Sequence, residues 1–194
     1  MSAEPLPPPS QPLAERDLWK GAVAGLTGGL VASFVMNRFQ EGLTALFVGK
    51  SRVRLHFDQG GQIKKSARHR PWSFEKSESA TTKAANAVSK ALLGRRLHGQ
   101  DRQRAGSALH YLFGAVSGAL YGAAAERFPA VASGRGLSFG AAVWLVADEV
   151  ATPAAGLAKA PNAYPVSAHV QSLAAHLFYG GATEAVRRGL RSVL

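Results

Sequence analysis

Long runs of small and apolar residues organise this chain. Four stretches carry almost no charge: Gly21 to Asn37, Ala105 to Ala125, Gly136 to Leu157 broken only by Asp148 and Glu149, and Ala160 to Thr183. Each comes close to the roughly 20 residues that cross a bilayer as a helix. Charged residues fence them: Lys20 and Arg38, Arg104 and Glu126, Arg135 and Lys159, then Glu184 with Arg187 and Arg188. A helix on the surface of a soluble protein shows a polar face at period 3.6, and GAVAGLTGGLVASFVM and GSALHYLFGAVSGALYGAAA show none. The pattern predicts an all-α fold, a four-helix multipass membrane bundle with a basic extramembrane loop. The alternative is a soluble basic helical bundle that binds anionic partners, because the stretches are rich in alanine and glycine and only moderately apolar.

The predicted order is a disordered Pro-rich N-terminal tail over 1–19, a first membrane helix over 20–48, a basic loop over 49–104 holding a short amphipathic helix, a three-helix membrane region over 105–188, and a C-terminal tail over 189–194. The tail lacks the basic start and small-residue cleavage site of a signal peptide, so the first span is expected to stay as an anchor. Within the loop, 51–74 reads as a disordered stretch or a short hairpin. SESATTKAANAVSKALLGRRL reads as a helix capped by Ser79 or Thr81, with Ala84, Val88, Ala91 and Leu92 on one stripe.

Composition sharpens this picture. The chain has 194 residues with 21 Gly, 35 Ala and no Cys, which leaves out disulfides, thiolate metal sites and thiol catalysis. The net charge is +11, and the segment from Arg38 to Arg104, with 15 Lys or Arg against 5 Asp or Glu, supplies +10 of it. A basic amphipathic helix beside membrane spans suits anionic lipid headgroups. No recognition motif or interleaved aromatics accompany the charge, so no specific nucleic acid is expected. Counting Lys and Arg over whole segments puts 16 on the loop side and 7 on the side of the termini, which favours a cytoplasmic loop. The double arginine after the last span argues the other way.

Gly21, Gly25 and Gly29 recur at four-residue steps, as do Gly114, Gly118 and Gly122, with Gly136 and Gly140 in the third stretch. Helices in lipid associate through backbone approach, which such ridges allow, whereas in water each glycine weakens a helix by up to about 1 kcal/mol. The ridges read as helix-packing surfaces, within one chain or between copies in a homo-oligomer.

Ionisable residues inside the stretches are His110, Asp148, Glu149, His169 and His176. Each is costly in lipid and so becomes a candidate site. At about 1.5 Å per residue from the loop side, His110, His169 and Glu149 fall within one half of the bilayer. Tyr121 shares the face of His110, and Arg38 is a candidate counter-charge. Pro153 cannot donate to the carbonyl of Glu149, so a helix kink is expected there. Three readings follow: a proton or cation pathway, a metal site of His110, His169 and Glu149 with Asp148 in reserve, or interhelical hydrogen bonds that hold the bundle together. No phosphate loop, GxSxG, HExxH or GxGxxG occurs, so no enzyme and no cofactor is expected. The remaining functional classes are a small channel or carrier and a membrane assembly or stability factor.

HYLFGAVSGALYGAAAERFP from His110, WLVADEVATPAAGL from Trp144, HLFYG from His176 and TEAVRR from Thr183 together resemble the YagU-like family, as LVASFVMNRFQ from Leu30 resembles the first span of its shorter members. The resemblance rests on the order of His110, Glu149, Pro153, Gly156 with Leu157, His176, Glu184 and the pair Arg187 and Arg188, and covers about half the chain. It implies a multipass protein of the bacterial cytoplasmic (inner) membrane, of unknown function, and supplies no site or ligand. The basic loop from Lys50 to Arg104 departs from that pattern.

Overall fold

The computed structural model describes the backbone of residues 15–48, 56–57, 63–64 and 79–194, and the side chains of 17–42 and 79–194. The predicted tail up to residue 14, and the loop between 49 and 78 apart from two short strands, lie outside the described residues. The strands, β1 (His56–Phe57) and β2 (Ile63–Lys64), pair antiparallel with Phe57 opposite Ile63. Among the described residues, everything else with regular structure is helical.

Helix α1 runs over Glu15–Val48, 34 residues, or about 51 Å. Its buried positions are Gly21, Ala24, Gly25, Gly28, Gly29, Ala32, Ser33 and Met36, while Val23, Leu26, Leu30, Val31 and Phe34 point outward. Steps of three and four define one face of a helix, and here that face is made of the smallest residues. α1 therefore serves as a thin central rod. α3 (Gly99–Arg127) packs along one side of it and α6 (Val166–Arg191) along the other, and these two meet mainly through long side chains while their backbones stay apart.

The glycine ladders set both the spacing and the direction of α1 and α3. A Cβ added at Gly25 would lie 2.9 Å from the Cα of Gly122, and one at Gly118 would lie 2.9 Å from the Cα of Gly29. Gly21 meets Gly122, and Gly29 meets Gly114. Rising numbers on one helix match falling numbers on the other, so the two run antiparallel with their backbones in contact. Gly28 meets α6 in the same way, where a Cβ would lie 2.6 Å from the carbonyl oxygen of Thr183.

α4 (Leu137–Val143) lies on α6 through Gly136, Gly140 and Gly180. It continues without a break as a π-helix over Trp144–Ala151 and then as α5 (Thr152–Ala154). Here the structure corrects an expectation. The irregularity is a widening that precedes Pro153, with the Thr152 amide bonded to the carbonyl of Ala147, five residues back. In that register the carbonyl deprived of a donor by Pro153 is that of Asp148, and the Thr152 hydroxyl donates to it at 2.9 Å.

α2 (Ala80–Leu93) is capped by Ser79, whose hydroxyl accepts from the Thr82 amide at 3.2 Å, and ends at Gly94 in the left-handed conformation. It buries Ala85 and Ser89 and sets Thr82 against Gly106 of α3, while the predicted stripe residues Val88 and Leu92 face outward. Lys83 donates to the carbonyl of Leu157, tying α2 to the segment after α5 at 3.0 Å.

The sparse apolar core consists of Ala32, Met36, Ala175 and Tyr179, with Phe39, Phe139, Val143 and Ala182 packed around it. Among the described residues the fold is all-helical apart from the strand pair. Among the described residues, one helix, over Asp17–Gly42, is both long and apolar enough by composition to cross a membrane. The expectation of four spans is thus met by composition in α1 alone.

Candidate functional site

Two polar clusters lie between the helices, at opposite ends of the bundle. The first gathers around the widened segment. Glu149 Oε1 lies 2.6 Å from His169 Nδ1, and His169 Nε2 lies 3.0 Å from the carbonyl oxygen of Pro161. A carbonyl only accepts, so Nε2 carries hydrogen, and the 2.6 Å contact holds one proton shared between carboxylate and imidazole. Asp148, the preceding residue, points elsewhere. It accepts from the Ser172 hydroxyl at 2.5 Å and lies 3.8 Å from His176 Nδ1, which donates to the carbonyl of Ser172 at 2.9 Å. The His110 ring lies beside the Ser33 backbone, within electrostatic reach of His176 and Asp148.

The expected layer of His110, Glu149 and His169 is therefore partitioned differently. Glu149 and His169 form one pair; His110 belongs with His176 and with Asp148, which had been assigned a reserve role. Successive residues on a helix diverge by about 100° or slightly less, so two adjacent carboxylates cannot serve one centre. Among the described residues no group of three or more His, Asp or Glu side chains is arranged to hold a metal ion. Arg38 pairs with Glu41 at 2.9 Å on an exposed face and is not a counter-charge to this layer. The nearest polar contact from α1 is that of Asn37, which donates to the Tyr111 hydroxyl at 3.4 Å.

The second cluster was read from the sequence only as a charged fence. Glu184 is 1 % exposed. Arg187 grips it through Nε at 2.7 Å and Nη2 at 3.0 Å, Arg188 Nε donates at 2.5 Å, and the Tyr121 hydroxyl donates from α3 at 2.9 Å. Tyr121 thus serves this cluster and not His110. Arg187 and Arg191 both donate to Glu126 at the end of α3, at 3.1 and 2.8 Å, and Arg188 reaches the carbonyl of Ala132 at 3.2 Å. Arg191 also lies 3.8 Å from Asp17 of α1. Glu184 is the first position beyond the last apolar stretch. Burial pushes its carboxyl up, but Arg187, Arg188 and Tyr121 together outweigh this and hold it below the usual carboxylate value. The spacing of Glu184, Arg187 and Arg188 was the available signal; the partners on α3 were not visible in sequence.

Between the clusters the polar groups are hydroxyls with committed donors. Ser33 donates to the carbonyl of Gly29 at 2.9 Å, Tyr179 to that of Gly114 at 2.7 Å, Ser117 to that of Phe113 at 2.6 Å and Thr183 to that of Tyr179 at 2.8 Å. These bonds tie helix to helix or back onto the chain.

Fold and clusters together define a glycine-packed helical bundle with ion pairs buried between its helices. Residues 91–185, which carry α3, α4 with its extension and most of α6, match the model of a family described as "Protein of unknown function (DUF1440)", an uncharacterised family. No curated protein and no solved structure matches the chain.

Proposed function

We propose that this is a multipass protein of the bacterial cytoplasmic membrane, YagU-like in kind, in which α1, α3, α4 with its extension and α6 cross the bilayer. One observation carries the reading: the bundle is turned inside out relative to a soluble protein. Among the described residues the largest fully buried side chains are Glu184, Thr183 and Ser33, while Phe34 is 53 %, Leu120 68 %, Val146 62 % and Phe178 51 % exposed. In water, burying large apolar side chains is the main source of stability, and extended apolar patches on a monomer mark an interaction surface. Hydrocarbon reverses the preference: it accepts the apolar belt and drives ionisable groups inward.

The role that best fits the clusters is non-enzymatic and structural. Each polar group that bridges helices does so through a specific partner, as a membrane assembly or stability factor requires, and the hydroxyls midway each donate to a carbonyl, Ser117 and Tyr179 also lying 3.0 Å apart. The exposed Lys90, Arg95 and Arg96, next to Val88, Leu92 and Leu93, suit anionic headgroups beside the bilayer. Alkaline carbonate washing of membranes tests the embedding: the reading expects the chain in the pellet, and its release into the supernatant would favour the soluble basic bundle.

A further inference from the structure

Two buried polar atoms in the first cluster make no hydrogen bond: Nε2 of His110 and Nε1 of Trp144. Buried polar groups are nearly always paired, and an orphan in a native structure calls for a partner such as an ordered water. The two orphans come from different helices, that of His110 from α3 and that of Trp144 from the widened segment. Trp144 lies one turn after Gly140, whose absent Cβ would lie 2.9 Å from the carbonyl carbon of His176, and one turn before Asp148, which is bonded to Ser172. The indole therefore faces α6 between Ser172 and His176, and helical side chains lean toward the N-terminus, here toward His176. His110 approaches from α3 beside the Ser33 backbone, with His176 and Asp148 within electrostatic reach.

We propose that His110, Trp144, Asp148 and His176 line an internal polar site between α3, the α4 rod and α6 that holds a small hydrogen-bonding molecule, water being the simplest. The chemistry fits on both sides. An indole N–H only donates, and an imidazole nitrogen accepts when bare. A water accepting from Trp144 and donating to His110 satisfies both, with Asp148 and His176 as further partners. Asp148, whose side chain is 40 % exposed, marks the entrance, whereas His176 at 9 % marks the closed end. The site stands whether lipid or water surrounds the bundle, so its failure and that of the membrane reading are separable.

The test is magnetisation transfer from water to indole protons in the full-length chain labelled with nitrogen-15, with the exposed Trp19 as the positive control. Transfer to the Trp144 indole within several-fold of that to Trp19 is expected. An indole signal as isolated from water as the backbone amides of Ala115 and Ala175 would overturn the proposal. The variant His110→Phe keeps ring bulk and removes both nitrogens; a several-fold fall in transfer to Trp144 is expected, and unchanged transfer would show that the two residues share no site. Should that variant fail to fold, the measurement on the unaltered chain decides by itself.

Discussion

Alanine at Gly25 puts the packing argument to its most exacting test, because the same substitution elsewhere in the chain has the opposite sign. A methyl at Gly25 meets the carbonyl oxygen of Gly118 and lies 2.9 Å from the Cα of Gly122, where ordinary contact begins near 3.4 Å. Both obstacles are backbone, so relief requires α1 and α3 to separate by about half an ångström or more. A gap of 0.5–1 Å forfeits roughly a quarter to a half of each dispersion contact along the seam. Overpacking of this kind costs about 1–3 kcal/mol, and the higher helix propensity of alanine returns up to about 1 kcal/mol. The expected net loss is up to about 2 kcal/mol, and the gap to an uncrowded glycine is the full range of about 1–3 kcal/mol. At Gly42 and Gly189 a Cβ meets nothing within 4 Å, so Gly42→Ala and Gly189→Ala should be neutral or stabilising by a few tenths of a kcal/mol up to about 1. Reversible unfolding of the three variants in mixed micelles, followed by circular dichroism, measures the difference. If Gly25→Ala proved as stable as Gly42→Ala, backbone contact between the two ladders would be refuted.

Three further outcomes follow from the polar clusters. Glu184→Gln leaves the buried Arg187 with Glu126 as its one carboxylate and should cost about 1.5–3 kcal/mol, against at most about 1 kcal/mol for Glu41→Gln at the exposed pair with Arg38; the same unfolding assay compares them. Because the Glu184 carboxyl sits below its unfolded value, its contribution is fully present above that value, near pH 4.5, and is lost as pH falls through the lower folded value. Acid titration of unfolding should show this slope in the unaltered chain and not in Glu184→Gln. Proteoliposomes should pass protons no faster than protein-free vesicles, and a flux abolished by Glu149→Gln in a folded protein would turn the first cluster into a pathway.

Local pattern made much of this architecture readable. The ladders at Gly21, Gly25, Gly29 and at Gly114, Gly118, Gly122 could be recognised because four-residue spacing places small residues on one helical face, and those faces do meet in the fold. Which ladder meets which is a property of two helices, and no spacing within one reveals it. The ion-pair cluster was hidden for a related reason. Glu184, Arg187 and Arg188 form the same string whether they fence a span in solvent or are sealed beneath Tyr121 and Glu126, and only the burial of Glu184 tells the two apart. At Asp148 and Glu149 the sequence located the carboxylates but not their division of labour, which depends on the widened turn over Trp144–Ala151. Pro153 signalled a disturbance, while its form depended on Thr152 supplying a hydroxyl to the carbonyl of Asp148.

The chain contains no cysteine, so single cysteines at Phe34, Leu120 and Phe178 can be spin-labelled without background and compared with one at the exposed Lys90. Collision with oxygen, which concentrates in hydrocarbon, is measured against collision with a polar nickel chelate in reconstituted vesicles. An apolar belt lying in lipid predicts that oxygen dominates at the first three positions and the chelate at Lys90. Chelate collision at Leu120 as frequent as at Lys90 would contradict it, and would return the bundle to water.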